Sequence, residues 1–216
     1  MSGPGGPSAG EQAWVWCGSH RLPVPRAARF EPPAALGPVP DLAAAIAAAL
    51  ARPVAALRLR DVARGARSVL VTVPDASRPC PSAPVLAAVL DELGSAGVPD
   101  AAVAVAVGCG LHATTSPAQR RRLAGASVAS RVEVTDAQGL ETETVHLGET
   151  SLGAPVHIAR RVAESDLVVT VGVVEPHLYA GFSGGVKGVA IGCAGHETIA
   201  WTHRPAFISE PGVAVA

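Results

Sequence analysis

Asp166–Val173, read DLVVTVGV, decides the fold. The run is apolar without a break, rich in β-branched residues, and followed by a glycine-rich loop. A strand that alternates in polarity covers one face of a sheet. One that does not is buried on both faces, and such strands belong to parallel sheets. Ser68–Val73 (SVLVTV) and Ala101–Val107 (AAVAVAV) repeat the pattern earlier in the chain. Between those two, Pro84–Gly97 places Val85, Leu86, Val89, Leu90 and Leu93 on one helical face, with Gly97 as a natural C-cap. Strand–helix–strand order with unbroken apolar strands predicts an α/β fold, a mostly parallel sheet flanked by helices.

Working outward, Asp41 suits the N-cap of a helix over Leu42–Ala51, and Ser116 that of a short basic helix to Ala124 with Pro117 in its first turn. Arg131–Val134 reads as a further strand with Asp136 just beyond it. Glu141–Leu147 alternates polar and apolar residues and can pair with Val156–Ala159, which gives a small β-hairpin insert. A last helix falls around Ala194–His203. Ala13–Cys17 reads as a short strand, Leu22–Pro40 as a proline-rich extended segment, and residues 1–12 as a disordered tail ahead of a single domain over 13–216.

Composition removes several classes of function. The 216 residues carry a formal net charge of −1 and only 3% aromatic side chains, which offers neither the basic surplus nor the stacking platforms of a nucleic-acid binder. The longest apolar run, Leu42–Ala51, is about half of the ~20 residues that span a bilayer. No hydrophobic leader is visible near Met1, so the expected location is the cytoplasm, with no membrane partner. The four cysteines, Cys17, Cys80, Cys109 and Cys193, show no CxxC spacing and are expected as free thiols.

Three polar clusters each follow a predicted buried strand, and in open α/β sheets ligands bind beyond the carboxyl ends of the strands. The first is Asp75-Ala76-Ser77-Arg78-Pro79, where the arginine fork suits phosphate or carboxylate. The same residues also suit an Asx turn with Arg78 on the surface. The second is Gly108-Cys109-Gly110-Leu111-His112, with His112 placed for proton transfer or simply exposed on a glycine turn. The third runs from Glu175 to His203 and holds three of the seven histidines. In it Gly184 and Gly185 can form a backbone nest for an anion, with Lys187 adding charge. No Walker loop or dinucleotide fingerprint is present. On one helix His196 and His203 would lie about 10.5 Å apart in rise, so only one of them can ligate a given metal ion.

Taken together, Asp75-x-Ser77-Arg78-Pro79, Gly110-Leu111-His112 and Glu175-Pro176-His177…Ala180-Gly181-Phe182-Ser183-Gly184-Gly185…Lys187…Gly192…Thr198-Ile199…His203 resemble the motifs of the nickel-dependent lactate racemase family, in order and spacing. The resemblance implies a nickel pincer nucleotide, a pyridinium mononucleotide joined covalently to Lys187 through a thioamide, with His203 completing the nickel coordination. It implies that His112 and His177 act as an acid/base pair, and that Asp75, Ser77 and Arg78, with Gly184 and Gly185, hold the cofactor. The implied reaction is racemisation or epimerisation of a small 2-hydroxy acid. That reaction needs a hydride acceptor that no side chain provides.

Two departures bear on that implication. Ala76 stands where the family's lactate enzymes carry a second arginine for the substrate carboxylate. Family members are also longer, and their second domain closes over the site, so a second domain or partner chain is expected. The alternative reading is a cofactor-binding or regulatory module without full catalysis.

Overall fold

The computed structural model describes residues 13–17, 19–24, 37–137, 143–210 and 213. The expected tail over residues 1–12 lies outside them, as does the start of the alternating segment at Glu141. The chain divides into two compact units, Met1–Pro40 and Asp41–Ala216. In the first, β1 (Ala13–Cys17) and β2 (His20–Val24) form an antiparallel hairpin.

The second unit runs α1 (Leu42–Ala51), α2 (Leu59–Val62), β3 (Val69–Pro74), α3 (Ser82–Ser95), β4 (Val103–Gly108), α4 (Pro117–Ala124), α5 (Ala126–Ala129), β5 (Glu133–Asp136), β6 (Thr144–Glu149), β7 (Pro155–Ala159), α6 (Arg160–Glu164), β8 (Leu167–Thr170), β9 (Pro176–His177), β10 (Gly181–Phe182), α7 (Val186–Ala190), α8 (His196–Thr202) and α9 (Pro205–Ile208). Strands β5-β4-β3-β8 form one parallel sheet in that order. The chain steps outward from β3 to β4 to β5, then returns past β3 to lay β8 on its other side. Such a reversal opens a crevice at the carboxyl ends of the central strands.

Side chains alternate across β3, and so do the two cores. Val69, Val71 and Val73 join Val103, Val105 and Val107 against Leu86, Val89, Leu90 and Leu93 of α3. Each of those leucines, fully buried, contributes roughly 1.5–3 kcal/mol. On the opposite face Leu70 and Ala106 pack against Ile158 and Ala159 of β7 and against Cys193, Ala194 and Ile199 beside and within α8. The β6–β7 hairpin is therefore a structural layer that seats α8. Thr198 fixes the seat, because its hydroxyl donates to the Pro155 carbonyl at 2.8 Å and accepts from the His157 amide at 2.8 Å.

Local signals hold where they are strong. Asp41 caps α1 by accepting from the Ala44 amide at 2.9 Å, and Ser116 and Gln119 form a full capping box on α4. Elsewhere the boundaries move. The strand expected over Asp166–Val173 spans only Leu167–Thr170 and is half-buried, because it is an edge strand with one neighbour. Its first residue instead staples the sheet, with the Asp166 carboxylate accepting from the Arg67 and Ser68 amides at 2.9 and 3.2 Å. Asp136 is the last residue of β5, not a residue beyond the strand. Among the described residues no helix is long and apolar enough to cross a membrane.

Candidate active site

A cavity of about 400 Å³ opens at the carboxyl ends of β3, β4 and β8. Its lining includes Asp75, Arg78, His112, His177, Gly184, Gly185, Lys187 and His203. Eight of the residues singled out from sequence thus meet in one place. Ser77 does not line it. Its amide and hydroxyl both donate to the Asp75 carboxylate, at 2.9 and 2.5 Å, which is the Asx-turn role that the sequence left open.

Asp75 follows β3 directly and is buried. Its second carboxylate oxygen lies 2.6 Å from His112 Nδ1. Burial raises the Asp75 carboxyl, but the bonds from Ser77 and His112 outweigh it and hold the group below its ordinary value. A carboxylate can only accept, so His112 carries a hydrogen on Nδ1, and in the neutral ring Nε2 is then the free nitrogen.

The loop bearing His112 is fixed from two sides. The Gly110 amide donates to the Gly192 carbonyl at 3.1 Å, where two backbones cross with no room for side chains. A Cβ on Gly192 would lie 2.3 Å from the Gly188 carbonyl oxygen, and one on Gly108 would lie 3.2 Å from Gly192. On the other side Asp136 accepts from the Thr115 amide at 2.9 Å, from the Thr115 hydroxyl, and from Arg120 at 3.1 Å. Cys109, also in the cavity wall, is pushed up to about 12 by burial and by the nearby Asp136 and Asp75 carboxylates, so it is a neutral thiol.

His177 sits on β9, at the foot of a small flap formed with β10. Ser183 closes that flap. Its hydroxyl accepts from the Glu175 amide at 3.0 Å and donates to the Val173 carbonyl at 2.7 Å. The Tyr179 amide donates to His177 Nδ1 at 3.2 Å, so the neutral ring carries its hydrogen on Nε2. Burial lowers the His177 pKa, and Lys187, Arg78 and His203 lower it further to the extent that they carry charge.

Lys187 lies on α7. Burial first, then Arg78, lowers its pKa and favours the free amine. His203 follows α8, and its Nδ1 donates to the Ile199 carbonyl at 2.8 Å, which in the neutral ring leaves Nε2 free to ligate a metal. His196, at the start of α8, is exposed and outside the cavity. Among the described residues no three His, Cys, Asp or Glu side chains are grouped to hold a metal ion.

Sequence reading placed Cys109, Tyr179 and Ser183 within the candidate clusters without giving them a role, and missed Asp136 as the anchor of the His112 loop. Ser183 stood in plain view among the glycines. Asp136 gave no signal beyond its place at a strand end.

A parallel sheet with a reversal at β3, and a basic, histidine-bearing cavity at that reversal, define an α/β domain with a cavity of small-molecule size. The chain belongs to the lactate racemase N-terminal domain family, whose model it matches over residues 19–216. The lactate racemase of Thermoanaerobacterium thermosaccharolyticum is 30% identical over 164 residues, 76% of this chain and 38% of that protein. The lactate racemase of Lactiplantibacillus plantarum is 30% identical over 167 residues, 75% of this chain and 38% of that protein. The solved lactate racemase apoprotein from T. thermosaccharolyticum superposes with a TM-score of 0.70 at 26% identity, covering 94% of this chain and 49% of that one. The chain thus spans well under half the length of the curated relatives it matches.

Proposed function

We propose that residues 13–216 form the cofactor-bearing half of a 2-hydroxy acid racemase or epimerase, working with a second domain or partner chain. The observation that supports it is the convergence of His112, His177, Lys187 and His203, from separate segments, on one cavity. The donor set fits a nickel pincer nucleotide. Lys187 offers an amine whose proton is loosened by burial and by Arg78, for a covalent thioamide, and the neutral His203 ring offers Nε2 to an ion that brings its other ligands with it. Arg78, exposed at the cavity, suits the nucleotide phosphate, and the nest at Gly184 and Gly185 lets backbone approach it closely. Such a group supplies, when bound, an acceptor for the hydrogen and electron pair of the substrate carbon.

The chain's own residues then handle the proton. His112, with Nε2 free, takes the substrate hydroxyl proton, and Asp75 stabilises the imidazolium that results. His177 holds its hydrogen on Nε2 when neutral. To give a proton to the opposite face it is first protonated by solvent at Nδ1, in place of the Tyr179 amide bond, and donation from Nε2 then leaves a neutral ring that can act as base in the return direction. Exchange of these roles turns one enantiomer into the other. The three free cysteines among the described residues, Cys80, Cys109 and Cys193, suit a reducing cytoplasm.

A second reading, a cofactor-binding module without turnover, draws on Ala76. Among the described residues Arg78 is the one arginine in the cavity wall, and no other stands in for the absent one. Arg120 is held by Asp136 and by the Thr115 carbonyl, and Arg204 lies 3.8 Å over the Trp201 ring. Intact-mass and metal measurements on protein made beside the cofactor-forming enzymes test both readings. A Lys187 adduct with nickel and exchange of a 2-hydroxy acid supports the racemase. Adduct and nickel without exchange, even with the second half supplied in trans, supports the module. Neither adduct nor nickel rejects both.

A further inference from the structure

Tyr179 has no role in the scheme above, yet it touches two residues that do. Its ring meets the His177 imidazole edge-on, with centroids 6.1 Å apart and planes at 69°. It meets the His203 imidazole in the same way, at 6.4 Å and 82°. Both values fall within the range of favourable edge-to-face pairs, roughly 4.5–7 Å. The two histidines belong to different elements, one on the β9–β10 flap and the other just past α8. Tyr179 is therefore a bracket between the flap and the end of α8.

Each imidazole is anchored at Nδ1: by the Tyr179 amide for His177, and by the Ile199 carbonyl for His203, with the Thr202 hydroxyl 3.1 Å from the same nitrogen. Contacts at one ring nitrogen fix the tautomer but leave a ring free to swing about that nitrogen. An aromatic wall beside the ring removes the swing. The Tyr179 hydroxyl makes no hydrogen bond among the described residues, so the wall and not the phenol is what the site uses.

We infer that Tyr179 is a positioning residue that locks the ring planes of His177 and His203 against each other, so that the proton-transfer nitrogen and the metal-binding nitrogen keep a fixed separation. Its consequence for turnover rests on the roles proposed for those two histidines. The ring contacts themselves do not.

The test compares the wild-type chain with Tyr179→Phe, Tyr179→Leu and Tyr179→Ala. Without cofactor, the ring resonances of His177 and His203 are followed by NMR through a pH titration. Phe is expected to keep both spectra. Leu and Ala are expected to shift both rings together, broaden them by rotamer exchange, and let the His177 titration move up toward the ordinary histidine value as water reaches the ring. On cofactor-loaded protein, nickel release to a chelator is expected to run several-fold faster in Leu and Ala and unchanged in Phe. Leu carries the test if Ala fails to fold. Unchanged His203 resonances and nickel release in the Leu variant would overturn the inference, as would a Phe variant that behaves like Leu. A wild-type chain that takes up neither cofactor nor nickel rejects the functional reading, while the cofactor-free spectra still decide the positioning role.

Discussion

His112 Nδ1 and Asp75 Oδ2 stand 2.6 Å apart, although 37 residues separate them in the chain. Asp75 is buried and held ionised, so it dictates where the imidazole hydrogen sits. Replacing it with an amide keeps the shape and removes that instruction. Asp75→Asn is expected to shift His112 toward a mixture of tautomers, seen in the ¹⁵N shifts of its ring. It should also lower turnover of the loaded enzyme by about 100-fold, within the usual worth of an oriented general base. Unaltered ring shifts would contradict the tautomer assignment.

The backbone crossing at Gly192 makes a second prediction. A methyl group there would stand 2.3 Å from the Gly188 carbonyl oxygen, an approach that only main-chain movement can relieve. Gly192→Ala is expected to destabilise the fold by about 1–3 kcal/mol, as overpacking does. The Gly110–Gly192 hydrogen bond should be lost with it, read as faster exchange of the Gly110 amide.

Glu92 on α3 links that helix to α2 through Arg60 at 2.9 Å and to Arg58 at 3.1 Å. The hydrogen bond from Arg60 dominates, and with the attraction of both arginines it lowers the carboxyl from 4.5 to about 2 against the opposing effect of burial. A depressed folded pKa means that the unfolded chain binds its proton first as pH falls. The stabilisation is therefore full above about pH 4.5 and is lost between there and pH 2. Glu92→Gln should lower the unfolding midpoint by a few degrees at neutral pH and flatten the acid limb of the stability curve. An acid limb identical to wild type would refute it.

Thr72 sits in the floor of the cavity with its hydroxyl buried and, among the described residues, without a hydrogen-bond partner. An unsatisfied buried hydroxyl costs about 1–3 kcal/mol, whereas an apolar group of the same shape costs nothing comparable. Thr72→Val is expected to raise the unfolding midpoint of the cofactor-free chain by about 2–4 °C. A fall would show that the hydroxyl is paired in solution.

What could be read from sequence was what depends on near neighbours. Asp41 and Ser116 cap their helices through groups three residues away, and Leu86 to Leu93 repeat at the helical period. The strands β3 and β4 announced themselves by unbroken apolar runs. The edge position of β8 did not, because DLVVTVGV reads the same whether one or two strands flank it. Asp75, His112, Lys187 and His203 were legible as strand-end or loop chemistry, and their meeting followed from the α/β pattern. The flap at His177, the short helix α7 and the pairing of Asp136 with Thr115 were not. Their shapes are set by hydrogen bonds such as those of Ser183, between residues whose types alone fit many loops.

The reversal of strand order at β3 also governs the timetable of folding. Strand β8 docks beside β3 through Ser68 and Asp166, which are 98 residues apart, and only then are the flap, α7 and α8 carried to the cavity. Contacts that distant close slowly, since the loop must lose its freedom before any pairing rewards it. A nascent chain that has reached β5 already owns Asp75 and His112 but has neither Lys187 nor His203. The cavity is thus completed only after β8 has docked, and any group fastened inside it must wait for that step.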